Sequence, residues 1–264
     1  MKTIVTQAGN LGQDTVMSIE SPADMAGLKA VSDVVRLTLD ALVQEVRPGV
    51  TTGELDAMAA QLLAAHGARS APALVYGFPG TVLISINDEI VHGIPGARPI
   101  VAGDLVKIDV TVEKDGYVAD AARTVVVEPS SSVAHALAAC ARAAFAAALP
   151  VARAGVLVNE IGRAVAGEAR RRGFTVVAGL AGHGVGRTIH EPPSVPNEYN
   201  RFQRDVLTEG LVITIEPMIS AGSSRVIQDR DGWTLRTRDG SLSAHYEQTI
   251  LITRGAPAVL TGGA

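Results

Sequence analysis

Gly103-Asp-Leu-Val-Lys-Ile-Asp109 and Gly210-Leu-Val-Ile-Thr-Ile-Glu216 decide the architecture of this chain. Each opens on glycine, runs through apolar residues suited to a buried strand, and ends on a carboxylate. The second lies 107 positions after the first. Other segments recur at nearly the same distance. Arg47, Gly49, Val50 and Glu54 return as Arg153, Gly155, Val156 and Glu160, and the helix stop Gly67 returns as Gly173, all 106 positions on. His92-Gly-Ile-Pro95 is echoed by His190-Glu-Pro-Pro193 at 98. Such distances indicate duplicated half-domains, because solenoid units repeat every ~20–50 residues.

Each half reads as helix, helix, then strands. Ser21-Pro22-Ala23-Asp24 combines a capping box with proline at the first helical position. Leu28, Val31, Val35, Leu39, Leu42 and Val46 then form one helical stripe. A second helix spans Thr52 to His66, and strands follow at 82–86, 106–112 and 118–127. The second half gives helices over 132–149 and 158–172. Its strands lie near Thr175 and over 211–219, 233–236 and 245–253. Strands in runs with helices grouped beside them give an α+β fold: a curved, antiparallel-rich sheet covered by helices. Pseudo-two-fold symmetry relates half-repeats of about 21–130 and 131–255 within a single domain over 21–264, preceded by an N-terminal extension at 1–20.

The 264 residues are 47% hydrophobic and 19% charged, enough for a sizeable core and too apolar for a disordered chain. A net charge of −4 argues against an obligate nucleic-acid partner. No run of ~18 apolar residues suggests a membrane span, and the N-terminus lacks the order of a secretory signal. The chain therefore reads as cytoplasmic. The single cysteine, Cys140, sits among alanines and reads as a packed thiol.

Chemistry-bearing residues fall at strand ends. Asp115-Gly116 is a two-residue hairpin signal. Pairing Lys114 with Tyr117 sets Thr111 opposite Asp120, so Asp109, Thr111 and Asp120 share one face. Two carboxylates on one face repel each other unless a cation neutralises them; Arg123 is the structural alternative. Glu216 precedes Pro217, which marks a strand edge or bulge. Glu247 likewise enters a β run. His183 lies in Gly182-His-Gly-Val-Gly186, where glycines leave room for close approach. Four acids and one imidazole balance two divalent ions.

Gly182-His-Gly-Val-Gly-Arg-Thr-Ile-His-Glu-Pro-Pro193, Ile108-Asp-Val-Thr111 and Thr214-Ile-Glu-Pro-Met218 closely resemble motifs of type I methionine aminopeptidases. So do Ser85-Ile-Asn-Asp-Glu-Ile-Val-His-Gly-Ile-Pro95 and the stretch from Asp231-Gly-Trp-Thr234 to Ser243-Ala-His-Tyr-Glu247. The resemblance runs from about Ser21 to Thr253. It implies the duplicated pita-bread fold, without the helical insertion of type II enzymes or the extra domain of prolidases.

Carried over, the resemblance implies that Asp120 and Glu247 bridge two ions, that Asp109 chelates one, and that His183 and Glu216 complete the other. An oxygen-rich set with one imidazole suits Mn²⁺, Fe²⁺ or Co²⁺, with Zn²⁺ also accommodated. Glu216 then shuttles a proton to the leaving amine, His190 donates to the scissile carbonyl oxygen, and His92 contacts the substrate. Thr111 supports the carboxylates. Asn87 and Ser243 match positions that hold a monovalent cation in some relatives, which adds that ion to the expected cofactors.

The side-chain pocket departs from the family. Phe78 and Trp233 fit it, but Val75 stands where tyrosine is common, Leu83 where bacterial enzymes often have cysteine, and Ile189 where phenylalanine is frequent. All remain apolar, so a thioether can still be buried. The expected activity is removal of initiator methionine from nascent chains, preferably before a small residue, by a monomer that associates transiently with ribosomes. Two other readings stay open: a related metallopeptidase with altered first-residue preference, and a catalytically silent pita-bread binding protein.

Overall fold

A computed structural model describes residues 19–262, so residues 1–18 of the expected extension lie outside it. The first half comprises helices α1 (Pro22–Glu45) and α2 (Thr52–Ala65), strand β1 (Arg69–Ser70) and helix α3 (Ala71–Tyr76). Strands β2 (Leu83–Ile86), β3 (Glu89–Val91), β4 (Leu105–Lys114) and β5 (Tyr117–Val126) follow. The second half begins with α4 (Ser132–Ala148), α5 (Asn159–Arg171), β6 (Thr175–Val176), β7 (Ala181–Gly184) and β8 (Glu191–Pro196). It ends with β9 (Val212–Ile215), β10 (Met218–Ser220), β11 (Val226–Gln228), β12 (Leu235–Thr237), β13 (Ser243–His245), β14 (Glu247–Leu251) and β15 (Ala258–Val259).

Local chemistry explains the helix starts. Ser21 Oγ accepts from Asp24 N at 3.1 Å and Ser21 N donates to the Asp24 carboxylate at 2.9 Å, closing the capping box ahead of Pro22. Thr51 and Glu54 do the same for α2. The matching position in the second half is Leu157, and α5 starts without a side-chain cap.

The main sheet runs β1-β4-β5-β14-β9-β7-β8, with β2 beside β4 and β15 beside β14. Every pairing in it is antiparallel. Its centre lies between β5 and β14, so β4 of one half corresponds to β9 of the other, and β5 to β14. Backbone bonds repeat across this centre. Gly103 N donates to Val127 O at 2.8 Å and Gly210 N to Ile252 O at 2.9 Å. Val127 N donates to Asp104 O at 2.9 Å and Ile252 N to Leu211 O at 2.8 Å. Both glycines have φ near 90° (92° and 90°), a conformation that side chains resist.

The helices cover one face. Val106, Ile108, Val110, Ala119 and Ala121 pack with α1 and α2 residues Leu28, Val35, Leu39 and Leu55. Ile213, Ile215 and Ile250 pack with Leu137, Cys140 and Phe145 of α4 and Ile161 of α5. Burial raises the Cys140 thiol to about 11, as suits a packed rather than a reactive group. The stretch Ser132–Val151 is long and apolar enough, by length and composition alone, to cross a membrane. Alanine accounts for that hydropathy, and α4 buries Leu137, Ala141, Ala144 and Ala148 in the second core.

Strand alternation aims the remaining residues at the opposite face. Lys107, Asp109 and Thr111 of β4 point there, as do Asp120 of β5, Thr214 of β9 and Glu247 of β14. The Asp115-Gly116 turn sets the register as expected, with Lys114 opposite Tyr117 and Thr111 opposite Asp120. Asp115 and Gly116 have φ of 52° and 80°, the pattern of a type I′ turn.

Candidate metal centre

Duplication brings the five expected donors together from five separate segments. Asp120, His183 and Glu247 present ligand atoms within 4.8 Å of one another. Asp109 and Glu247 do the same with a residue the sequence reading passed over, His245. Asp120, His183, Glu216 and Glu247 are buried, and Asp109 is partly so. Glu216 falls in the gap where Pro217 interrupts pairing between β9 and β10.

Threonines brace the acids. Thr249 Oγ1 donates to Asp120 O at 2.8 Å and accepts from Asp120 N at 3.0 Å. Thr214 Oγ1 donates to Glu216 Oε1 at 3.1 Å and accepts from His183 N at 3.1 Å. Thr111 hydrogen-bonds Asp120. His183 Nδ1 is 2.9 Å from Gly184 O, so the Nδ1 proton is donated there and the Nε2 lone pair faces Glu216 Oε1 at 3.6 Å.

The electrostatics call for cations. Burial, then neighbouring carboxylates, push Asp109, Glu216 and Glu247 well above the usual carboxylate range. Burial raises Asp120 to about 6, against hydrogen bonds from Asp109 and Thr111. Arg123, the structural alternative, pairs with Asp40 instead. Among the described residues, Asp109 Oδ1, Asp120 Oδ1 and Glu247 Oε1 are buried without hydrogen-bond partners, as are both nitrogens of His245. Buried acceptors of this kind cost several kcal/mol by order of magnitude unless something meets them. The donor set fits divalent ions.

Above the acids lies a cleft walled by Tyr76, Phe78, Leu83, His92, Ile189, His190, Met218 and Trp233. The Phe78 and Trp233 rings meet edge-on, with centroids 5.2 Å apart. Tyr76 Oη hydrogen-bonds His190 Nδ1, and the His190 and His183 rings lie 4.2 Å apart. Burial holds His92 and His190 near a pKa of about 4, so both are neutral at physiological pH.

Comparison with known proteins places this arrangement. The profile of metallopeptidase family M24 matches residues 26–254. The chain belongs to metallopeptidase family M24. It is 41% identical over 247 residues to methionine aminopeptidase 2 of Bacillus subtilis, an alignment covering 93% of this chain and 99% of that one. The solved methionine aminopeptidase of Rickettsia prowazekii superposes with a TM-score of 0.89 at 35% identity, covering 94% of this chain and all (100%) of that one. The Thermotoga maritima enzyme gives 0.91 at 30% identity, again covering 94% and 100%. The pita-bread fold follows, as does a requirement for divalent metal, for which these buried side chains are the candidate ligands.

Two expectations need correction within this M24 site. Val75 does not reach the pocket: it is 56% exposed, and the next residue of α3, Tyr76, turns inward to His190. The expected tyrosine is therefore present, one position on. Nor is the space between Asn87 and Ser243 open to a free monovalent cation. Lys107 Nζ fills it, 2.7 Å from Asn87 O, 3.2 Å from Ser243 O and 3.4 Å from Ser243 Oγ. Burial draws this lysine down to about 7, while the charges of Glu89, Asp88 and Asp104 pull it upward.

His245 was missed because its setting, Ser-Ala-His-Tyr, carries no glycine or proline flag. Its two-residue offset from Glu247 was the available signal, because within the expected 245–253 strand it puts both on one face; in the structure Tyr246 separates β13 from β14, and both side chains still reach the centre. His245 Nε2 lies 3.7 Å from both Glu216 Oε2 and Glu247 Oε2.

Proposed function

We propose that this chain is a methionine aminopeptidase that removes initiator methionine from nascent polypeptides, preferably ahead of a small second residue. One observation carries the reading: Asp109, Asp120, His183, Glu216 and Glu247 converge on the floor of an apolar cleft whose walls hold two neutral histidines. Asp109, Asp120, His183, Glu216 and Glu247 would together hold the two ions. Two divalent ions held there would supply Lewis acidity toward the scissile carbonyl and an acidified water. Four carboxylates with imidazole favour Mn²⁺, Fe²⁺ or Co²⁺, and accommodate Zn²⁺.

The protein's own groups do the rest. Glu216 would take a proton from the acidified water and pass it to the leaving amine. His190, hydrogen-bonded to Tyr76 Oη at Nδ1, would donate from Nε2 to the developing oxyanion. His92 steadies the substrate beside the scissile amide. Phe78, Leu83, Ile189 and Trp233 receive the thioether, whose burial is worth about 1.5–3 kcal/mol. The walls of the cleft decide which first residue is accepted. The same reading has the chain act as a monomer in the cytoplasm, on chains emerging from a transiently contacted ribosome.

Cleavage of Met-Ala-Ser, Leu-Ala-Ser and Met-Trp-Ser by protein reconstituted with each divalent ion tests this. We expect kcat/KM to favour Met over Leu by about 10-fold or more, since differences of one or two groups in an apolar pocket are worth that much. Turnover without such preference would support altered specificity. No turnover with any ion would leave the binding-protein reading.

A further inference from the structure

We propose that Lys107 is a built-in monovalent cation: its ammonium fills an oxygen-lined site that a free alkali ion would otherwise occupy, and it ties the segment leading to His92 to the segment leading to Glu247. Lys107 is 1% exposed and ranks among the largest fully buried side chains. A buried lysine ordinarily meets a carboxylate, because an unpaired charge is costly there. Among the described residues this one hydrogen-bonds only uncharged oxygens, Asn87 O, Ser243 O and Ser243 Oγ.

The nearby carboxylates are engaged elsewhere. Glu89 accepts from Ile86 N and pairs with Arg98 and Arg236. Asp104 accepts from Asn87 Nδ2 and from Val101 N. Asp88 pairs with Arg236. Each therefore contributes negative potential without contacting the ammonium, as a counter-ion shell would around an alkali cation.

The oxygens themselves are built into place. Asn87 has φ of 59°, and its side chain accepts from Leu105 N, which fixes its carbonyl inward. Ser243 Oγ donates toward Asn87 O at 2.9 Å and Glu89 O at 3.1 Å. Ser243 N also donates to Asn87 O, at 3.0 Å. Two chain segments 156 positions apart thus converge on one ammonium, with His92 five residues after Asn87 and Glu247 four after Ser243. Lys107 is a positioning residue for both. A tethered side chain cannot diffuse away, so the site stays filled whatever the salt.

The test replaces Lys107 and varies the monovalent cation at constant ionic strength and pH. In wild-type protein, exchanging potassium or sodium for choline should leave the melting temperature and peptide cleavage unchanged. Lys107→Ser opens the oxygen-lined space. In choline it should melt lower and cleave about 10- to 100-fold more slowly, the usual cost of misplacing catalytic groups. Potassium or methylammonium should restore both, saturably, whereas Lys107→Met, which refills the space without charge, should not respond. A potassium requirement in wild type would overturn the proposal, as would equal impairment of Lys107→Ser in every salt. The cleavage arm rests on the proposed peptidase reading; the melting arm does not, so failure of one is distinguishable from failure of the other. Should Lys107→Ser fail to fold in any salt, the wild-type salt exchange still decides.

Discussion

Glu247→Gln should lower kcat/KM by about 10³-fold or more while leaving the metal-free protein folded, because it removes the charge shared by both donor groups and little else. Glu247 is the acid common to the Asp109–His245 group and the Asp120–His183 group. Its Oε1 is buried without a hydrogen-bond partner among the described residues. A glutamine fills the same space, so no cavity opens. Deleting one of several mutually repelling buried carboxylates should also keep metal-free stability at or above that of wild type. Activity near wild type would show that the reaction does not pass through this cluster. A lower metal-free melting temperature would instead assign Glu247 a structural role.

His190→Ala should cost about 10²–10³-fold in kcat, the typical effect of removing one oxyanion donor, with metal content unchanged. His190 lies beside the acids rather than among them: its ring packs on His183, and its Nδ1 is held by Tyr76. Tyr76→Phe should give a smaller loss in the same direction, since it frees the ring to reorient without removing it. Metal analysis after dialysis separates the roles. Equal loss of metal and rate in His190→Ala would make His190 a ligand, contrary to this account.

The sequence revealed the site more fully than its walls. Asp109, Asp120 and Thr111 could be assigned to one face because a single turn, Asp115-Gly116, fixes the register and strand alternation does the rest. The duplication was readable because Gly103 and Gly210 each meet the same backbone demand at the entry to matching strands. Val75 and Tyr76 show where such reasoning stops. Position on a six-residue helix depends on how its end is set by Gly77, and one residue is a rotation of about 100°. Lys107 was hidden for another reason. A lone lysine in an apolar strand reads as an edge or surface residue, and only the convergence of Asn87 and Ser243 explains its burial. Those two segments are distant in sequence, and no local rule brings them together.

Buried acids that only dications make tolerable should leave a signature in the pH dependence of stability, and melting curves with and without Mn²⁺ measure it directly. In metal-free protein, Asp120 rises from its usual 3.8 to about 6, and Asp109, Glu216 and Glu247 are raised further above their usual values. A folded state that holds protons more tightly than the unfolded chain is favoured at low pH. Up to about 6.5 that contribution is offset by His92, His183, His190 and His245, which burial holds at about 3 to 4, so the net loss of metal-free stability should appear as pH climbs above about 6.5. Mn²⁺ binds the ionised carboxylates, so the loaded protein should instead gain stability over the same interval. Diverging curves that separate as pH rises are the predicted result; parallel curves, unmoved by metal, would contradict a dication centre at these five side chains.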